Sequence, residues 1–501
     1  MSLPSTAARP DGLPDRIRHW IGGEFADSVD GAVFDVADPV TNVTYTTAAA
    51  GGPADVDRAV AAARAAFPGW SALGNRERAT ILNRIADAVE AREDRLSAFE
   101  SFDSGLPITQ ARGQARRAAE NFRYFADVIV ALGDESFRVG DKQLNYVVRS
   151  PVGVAGLITP WNTPFMLESW KLAPAIASGC TLVLKPAEWT PLSANLWAEI
   201  FTEAGVPAGV VNIVHGIGEV AGQALVDHPD VPLLSFTGST DTGRHIMRCA
   251  ADGLKTLSME LGGKSPVVVF ADADLDAALD SVVFGVFSLN GERCTAGSRV
   301  LVERPIYEEF TRRIAERAER VKVGPPSDPA TEVGALVHPD HYASVLNYVE
   351  IGQGEAKLVA GGTRPDHLPE GNYLQPTVFA DVPRDARIFQ EEIFGPVVAV
   401  APFDDEAEAI ELANATRYGL AGYVWTSDLR RGHRIAHAVD SGMVWINSHN
   451  VRDLRTPFGG VKDSGVGREG GAHSIDFFSE TKIVHVMLGE VHTPRFGVQE
   501  N

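Results

Sequence analysis

Cysteine is scarce in this chain: Cys180, Cys249 and Cys294 are the three among 501 residues. So few, so far apart and odd in number, they exclude a disulfide lattice and suit a reduced, cytoplasmic setting. Long apolar runs are missing as well. No stretch reaches the roughly 18 to 20 residues needed to cross a bilayer, so no membrane is expected, and no secretory leader is legible at the N-terminus. Positive charge is short. The 45 Lys and Arg against 66 Asp and Glu leave a net charge of −21, whereas nucleic acid demands a basic footprint. An anionic small molecule would have to be held by particular arginines. Metal ligands are sparse too: His338-Pro-Asp-His341 looks like a metal pair, but no third ligand is spaced near it and no metal is expected. Repeats and low-complexity tracts are absent, and loose structure is expected only at the tips, such as the first dozen residues.

What is present is an ordinary globular composition, 45% apolar and 22% charged, in a chain long enough for two or three domains. Residues 19–48 alternate around Gly22-Gly23 and Asp30-Gly31, as hairpins do. Helical periodicity follows over 54–67, from 76 toward 101, and over 109–128. From Val152 short apolar strands alternate with helices: strands at 152–158, 181–184, 210–214 and 233–236, helices at 167–178, 193–204, 220–226 and 241–251. That alternation predicts an α/β fold with a doubly wound parallel sheet, whose strands offer a nucleotide site at their carboxyl ends. A second α/β series opens at Pro266, and a third run of strand and helix covers 377–424. A cleft between the two α/β units is the expected place for a small-molecule site.

The chemistry concentrates at Cys294, in Asn290-Gly-Glu-Arg-Cys294-Thr-Ala-Gly-Ser298, and at Glu260, which lies 294 − 260 = 34 positions upstream in Met259-Glu260-Leu-Gly-Gly-Lys264. A thiolate is a good nucleophile, and a nearby carboxylate can take a proton from it or from water. A lone cysteine is more often structural; the two motifs together point to catalysis. Glycine fingerprints occur at Gly216-Ile-Gly218-Glu-Val-Ala221, after a strand, and at Gly465-Val-Gly467-Arg-Glu-Gly470, which has no preceding strand and is expected to be a loop. Phe236-Thr-Gly238-Ser239-Thr reads either as a phosphate-binding helix start or as an ordinary capped helix.

Taken in order, Thr159-Pro-Trp161-Asn162-Thr-Pro-Phe165, Lys185-Pro-Ala-Glu188, Phe236-Thr-Gly238-Ser239-Thr, Glu260-Leu-Gly-Gly-Lys264, the Cys294 loop, Glu391-Glu392-Ile-Phe394-Gly-Pro396 and Pro457-Phe458-Gly-Gly460 resemble the aldehyde dehydrogenase superfamily from about Ile17 to Gly489. The resemblance implies a nucleophilic Cys294, an oxyanion hole of Asn162 with the backbone amide of Cys294, and Glu260 as general base. It implies NAD as cofactor. Lys185 and Glu188 would hold the adenosine ribose, the glutamate disfavouring a 2′-phosphate. Ser239 would meet the pyrophosphate, Gly218 the adenine side, and Glu392 and Phe394 the nicotinamide end, with Trp161 and Gly238 also at the cofactor. It implies an NAD-binding domain over 1–128 and 152–262, a catalytic domain over 263–462, and an oligomerisation arm and tail over 129–151 and 478–501, building a homodimer or homotetramer.

Ser288 to Thr295, Asn447 to Phe458 and Lys185-Pro-Ala-Glu-Trp189 further resemble the branch acting on hydroxymuconic semialdehydes. Glu292 stands where many members carry glutamine. A carboxylated small-molecule aldehyde would then need guanidinium partners. Arg455 and Arg112 are the first candidates and Arg452 and Arg117 their substitutes, with His449 for a second carboxylate and Trp170 and Phe458 as tunnel walls. Solvated arginines, loop packing and core packing are the plainer alternatives. So are a broader enzyme for succinate semialdehyde or a similar aldehyde, a CoA-acylating variant, and a non-catalytic binding protein on this fold.

Overall fold

The computed structural model describes residues 9–497. The first eight residues of the expected N-terminal tail, and the last four of the chain, lie outside them. Valine, leucine and isoleucine runs make the central strands: every residue of Val154–Ile158 and Thr181–Lys185 is buried, as expected of parallel strands covered on both faces. Among the described residues these join an eight-stranded sheet in the order 465–466, 256–260, 233–237, 154–158, 181–185, 211–213, 19–21, 24–26. The five strands from 256–260 to 211–213 run parallel. The chain winds outward from Val154–Ile158 in both directions, so a switch point lies there. The carboxyl ends of its strands deliver Thr159 to Asn162, Lys185 to Glu188, Gly238-Ser239 and Glu260 to one rim.

The second and third runs are one structure. Strands 357–360, 377–380, 397–403, 299–303, 266–269, 421–425 and 443–446 form a seven-stranded sheet, because Arg299–Glu303 pairs in parallel with Ala399–Phe403. Cys294 precedes the strand Arg299–Glu303, and Glu392 and Phe394 precede Val397–Phe403. The second sheet therefore presents the amino ends of these strands to the carboxyl ends of the first.

Three expectations are corrected. The helical run from 76 toward 101 is two helices, Asn75–Glu90 and Glu93–Ser104, the second opening on Glu93 and Asp94, acidic side chains that suit a helix N-terminus. Residues 129–131 complete the helix Ile108–Ala131, with Ile129 in the core, so the strands expected over 129–151 begin only at Ser136. Gly465–Val466 is an edge strand, paired antiparallel with Met259 and Glu260, not a loop. Beyond Ile108–Ala131, Ser136–Val139, Gln143–Pro151 and Ser479–Met487 make a separate antiparallel sheet.

Behind the rim, Glu100, Asp103 and Glu168 are fully buried carboxyls. Burial pushes Glu168 from 4.5 up to about 8, despite the hydrogen bond it accepts from Trp197 Nε1 at 2.7 Å. An unfolded chain releases this proton near 4.5 and the folded one near 8. Stability is therefore present at low pH and lost as pH rises through that window, by about 1.4 kcal/mol per pH unit. Glu168→Gln is expected to melt at a higher temperature than the parent near pH 8, the gap closing near pH 5; equal slopes of melting temperature against pH would refute this.

Candidate active site

The two rims enclose a cavity of about 290 Å³ whose walls include Cys294, Glu260, Asn162, Trp161, Gly238, Ser239, Glu392, Phe394, Trp170, Phe458 and Arg452. The loop carrying the cysteine is set by backbone that side chains seldom adopt. Leu289, Asn290 and Gly291 have φ of 53°, 57° and 73°, and a Cβ on Gly291 would strike the backbone of Gly395 and Pro396. Asn290 pins the loop by donating to the carbonyls of Gly105 (3.1 Å) and Ala335 (3.0 Å) and accepting from Gly334 N (2.7 Å). Asn162, at the end of the first sheet's strand 154–158, donates through Nδ2 to the Glu292 carbonyl at 2.8 Å. This bond joins the two rims beside the sulfur.

Burial pushes the Cys294 thiol up to about 12, and the neighbouring Glu392 and Glu260 push the same way, against Arg293 and Arg452. At rest it is a thiol, and its proton must leave before it attacks. Glu260 is 4% exposed, and neither carboxylate oxygen finds a hydrogen-bond partner among the described residues. Burial first, then Glu469, raises it well above the usual carboxylate range. Glu469 is itself paired with Lys171, whose Nζ lies 2.6 Å from Oε1 and 2.7 Å from Ser235 Oγ. The sequence reading missed this buried pair. Lys171 sits on a helix apolar enough to look like plain core, and Glu469 hides inside the glycine pattern Gly465 to Gly470.

At the other end, Lys185 donates to Glu188 at 2.7 Å, and Gly218 N approaches the other Glu188 oxygen at 3.4 Å. Burial alone would raise Glu188, but the Lys185 ammonium prevails and holds it below its ordinary value. Lys185, Glu188 and Gly218 thus form one cluster beyond the cavity wall. Ser239 caps the helix Thr240–Ala251, accepting from Thr242 N at 3.1 Å. Glu392 accepts from Gly263 N at 2.7 Å, and its carboxylate occupies the space that a Cβ on Gly262 would need. Phe394, at φ 57°, meets Trp161 edge-on at 5.1 Å. A lysine-paired carboxylate, a capped helix start, a second carboxylate and an aromatic corner thus lie along the two rims that enclose the sulfur. This series fits a dinucleotide laid along the rim, with its reactive ring at Cys294.

The substrate-side candidates divide. Arg112 pairs with Asp94 (3.0 Å) and Glu93 (3.5 Å), and Arg455, 80% exposed, pairs with Asp453 at 2.5 Å. Both are solvated ion pairs away from the cavity wall. Arg452 is the one that enters: its guanidinium lies over the rings of Phe458 (4.1 Å) and Trp170 (4.7 Å). Burial first, then the like charge of Arg117, lowers Arg452 to about 10. Arg293 feels burial and the same Arg117. Arg117 thus acts on both Arg293 and Arg452, and among the described residues none of the three is in an ion pair, although Glu120 acts on Arg117 and Glu260 and Glu469 act on Arg452. His449 stacks on Tyr423 at 4.6 Å with Nε2 3.4 Å from Arg293. Burial, then Arg293, lowers it to about 3. A neutral His449 accepting from Arg293 orients that guanidinium and is unsuited to bind a carboxylate by charge.

A sequence model described as the Aldehyde dehydrogenase family matches residues 25–484. The chain is 49% identical to the 5-carboxymethyl-2-hydroxymuconate semialdehyde dehydrogenase of Escherichia coli, over 92% of this chain and 98% of that one. It is 44% identical to the 2-hydroxymuconic semialdehyde dehydrogenase of Pseudomonas sp. strain CF600, over 94% and 99%. The crystal structure of HpcC from Thermus thermophilus superposes with a TM-score of 0.95 at 52% identity, covering 96% of this chain and 95% of that one. The NAD+ complex of an aldehyde dehydrogenase from Bacillus cereus gives 0.93 at 42%, covering 95% and 98%. Sequence and architecture agree along nearly the whole length: the chain belongs to the aldehyde dehydrogenase family of aldehyde-oxidising enzymes.

Proposed function

We propose that the chain oxidises 5-carboxymethyl-2-hydroxymuconate semialdehyde to the corresponding acid with NAD. The observation carrying the substrate class is Arg452 in the cavity wall over Phe458 and Trp170, in no ion pair among the described residues, with the positive charge of Arg117 acting on it. Desolvated cations are costly unless an anion arrives to pair with them, and the ring of Phe458 beneath Arg452 suits a flat, conjugated body. The name of the 49% identical relative supports the same choice.

Cys294 Sγ, its proton passed to solvent, bonds to the aldehyde carbon, and the carbonyl π electrons move to oxygen, which becomes an alkoxide. Asn162 has two N–H groups; one holds the Glu292 carbonyl and the other is free for the alkoxide, together with the backbone amide of Cys294. Such a donor is worth about 3 kcal/mol in the barrier. NAD held by Lys185, Glu188, Ser239 and Glu392 would supply the oxidising power, as the acceptor of a hydride from that carbon. Glu260 then takes a proton from water, whose oxygen attacks the thioacyl carbon; the C–S bond breaks, the acid leaves and the thiol is restored. A buried carboxylate beside the thioacyl favours water over CoA as the acceptor. Glu188 in the ribose position supports NAD over NADP. The exposed Phe137, Val139 and Ile483 of the separate antiparallel sheet support assembly into a homodimer or homotetramer.

Arg452→Gln is expected to lower kcat/KM for the carboxylated semialdehyde by about 100-fold while changing that for an uncharged aldehyde little. Steady-state NADH formation with both substrates tests this, and an equal loss for both would sink the carboxylate assignment.

A further inference from the structure

The pair His338-Pro-Asp-His341 finds its place at the start of the helix Pro339–Glu355. His338 stacks on Trp189 at 4.5 Å and caps the helix by accepting from Asp340 N. His341 faces inward. Its ring lies 4.9 Å from that of Trp161, and its Nε2 is 2.8 Å from the Phe394 carbonyl oxygen. A carbonyl only accepts, so this nitrogen carries the proton.

The same Nε2 is 3.6 Å from Oε1 of Glu292. Glu292 is buried two residues before Cys294, and that oxygen already accepts from Val337 N at 3.0 Å. Its backbone carbonyl is the one that holds Asn162. One N–H therefore stands between two acceptors on two walls: Phe394, on the aromatic corner, and Glu292, on the nucleophile loop. The groups around this junction are few. His338 acts on His341, the Asn290 side chain touches Glu292, and Arg293 and Cys294 follow Glu292 in its own loop. Burial raises Glu292 well above its ordinary value and lowers His341 to about 4. Burial thus favours the uncharged form of each, and a neutral carboxyl is the weaker competitor for a donor.

We infer that Glu292 is a positioning residue for the cofactor end of the site. As a neutral acid it leaves the His341 Nε2–H on the Phe394 carbonyl; as a carboxylate it draws that N–H to itself and releases the Phe394 wall. The step is a proton leaving Glu292 for solvent base and one hydrogen bond changing acceptor. It rests on the proposal that Phe394 borders the nicotinamide. A glutamine in its place would lack the switch.

The experiment is equilibrium NAD binding by tryptophan fluorescence from about pH 5 to about pH 10, with Glu292→Gln measured alongside so that the part due to Glu392, which titrates near 7, is common to both. Beyond that common part, the parent enzyme is expected to lose about tenfold in affinity across that range, the worth of roughly one hydrogen bond. Glu292→Gln should show the common part alone, and His341→Ala should bind weakly with no further slope. A purely structural role for Glu292 would shift affinity without changing its slope against pH. A parent enzyme with no alkaline loss, or a Glu292→Gln enzyme with the same loss, overturns the inference. Phe394→Ala binding NAD as tightly as the parent at neutral pH would instead remove the cofactor placement beneath it.

Discussion

Cys294→Ala is expected to lower NADH production by about 10,000-fold or more while the folded enzyme still binds NAD, the scale seen when a covalent nucleophile is removed. No other sulfur can substitute. Cys180 is fully buried, donates to the Phe478 carbonyl at 3.2 Å and is pushed up to about 11 by burial. Cys249 sits on the helix Thr240–Ala251 beside His245 and Gln223, outside the cavity wall. Cys294 is the thiol that faces Glu260 and Asn162 across one cavity. Because burial holds it up at about 12, with Glu392 and Glu260 adding to the effect, the thiolate fraction rises with pH. An acylation-limited rate should therefore climb toward alkaline pH, in the parent enzyme alone. Intact-protein mass spectrometry after mixing with NAD and aldehyde should show the thioacyl adduct on the parent and none on the variant. Turnover by Cys294→Ala within tenfold of the parent would discard covalent catalysis at this residue.

Much of this arrangement is legible in the sequence, for a physical reason. Parallel strands buried on both faces read as unbroken apolar runs, so 152–158, 181–184 and 233–236 declare themselves, and the residues following each strand have to gather at one rim. The short motifs around Glu260 and Cys294 are local and survive as patterns. What pairs across long distances does not show. The union of the later runs into one sheet depends on Arg299–Glu303 pairing with Ala399–Phe403, about which local periodicity says nothing. The arginines illustrate the same limit. The loop position of Arg455 favours it, yet Asp453, two residues earlier, neutralises it, a local signal present in the sequence. Arg112 meets Glu93 and Asp94 only because two helices pack together. Arg452 is singled out by the rings it covers, and those rings come from distant segments. Glu469 is hidden because its glycine surroundings resemble a nucleotide fingerprint, when their use is to let the segment lie against the first sheet's strand 256–260.

Glu260→Gln is expected to separate the two halves of the reaction. The variant should give a full burst of NADH, one per active site, followed by steady-state turnover lowered about 1,000-fold, within the range attributed to general-base catalysis. Gln keeps the shape of the side chain, so the cavity stays filled and the loss is one of proton acceptance. Acylation should survive because Glu260, once ionised, is unfavourable to it: its negative charge then helps hold the Cys294 thiol up, and a neutral glutamine carries no such charge. Deacylation is different, since water must lose a proton as it attacks the thioacyl carbon. Glu260 can accept it only when ionised, and burial with the like charge of Glu469 raises it well above the carboxylate range. The sign follows: in the parent, the deacylation rate should increase with pH as Glu260 ionises, whereas in Glu260→Gln it should be nearly level. The Lys171–Glu469 pair behind it, at 2.6 Å, limits the rise by partly cancelling the Glu469 charge, and Lys171→Met should move the parent's profile further toward alkaline pH. Rapid-quench measurement of burst and steady state across pH tests all three. If Glu260→Gln lost the burst in the same proportion as the turnover, Glu260 would be acting on the thiol, and the water-activating role would pass to another group.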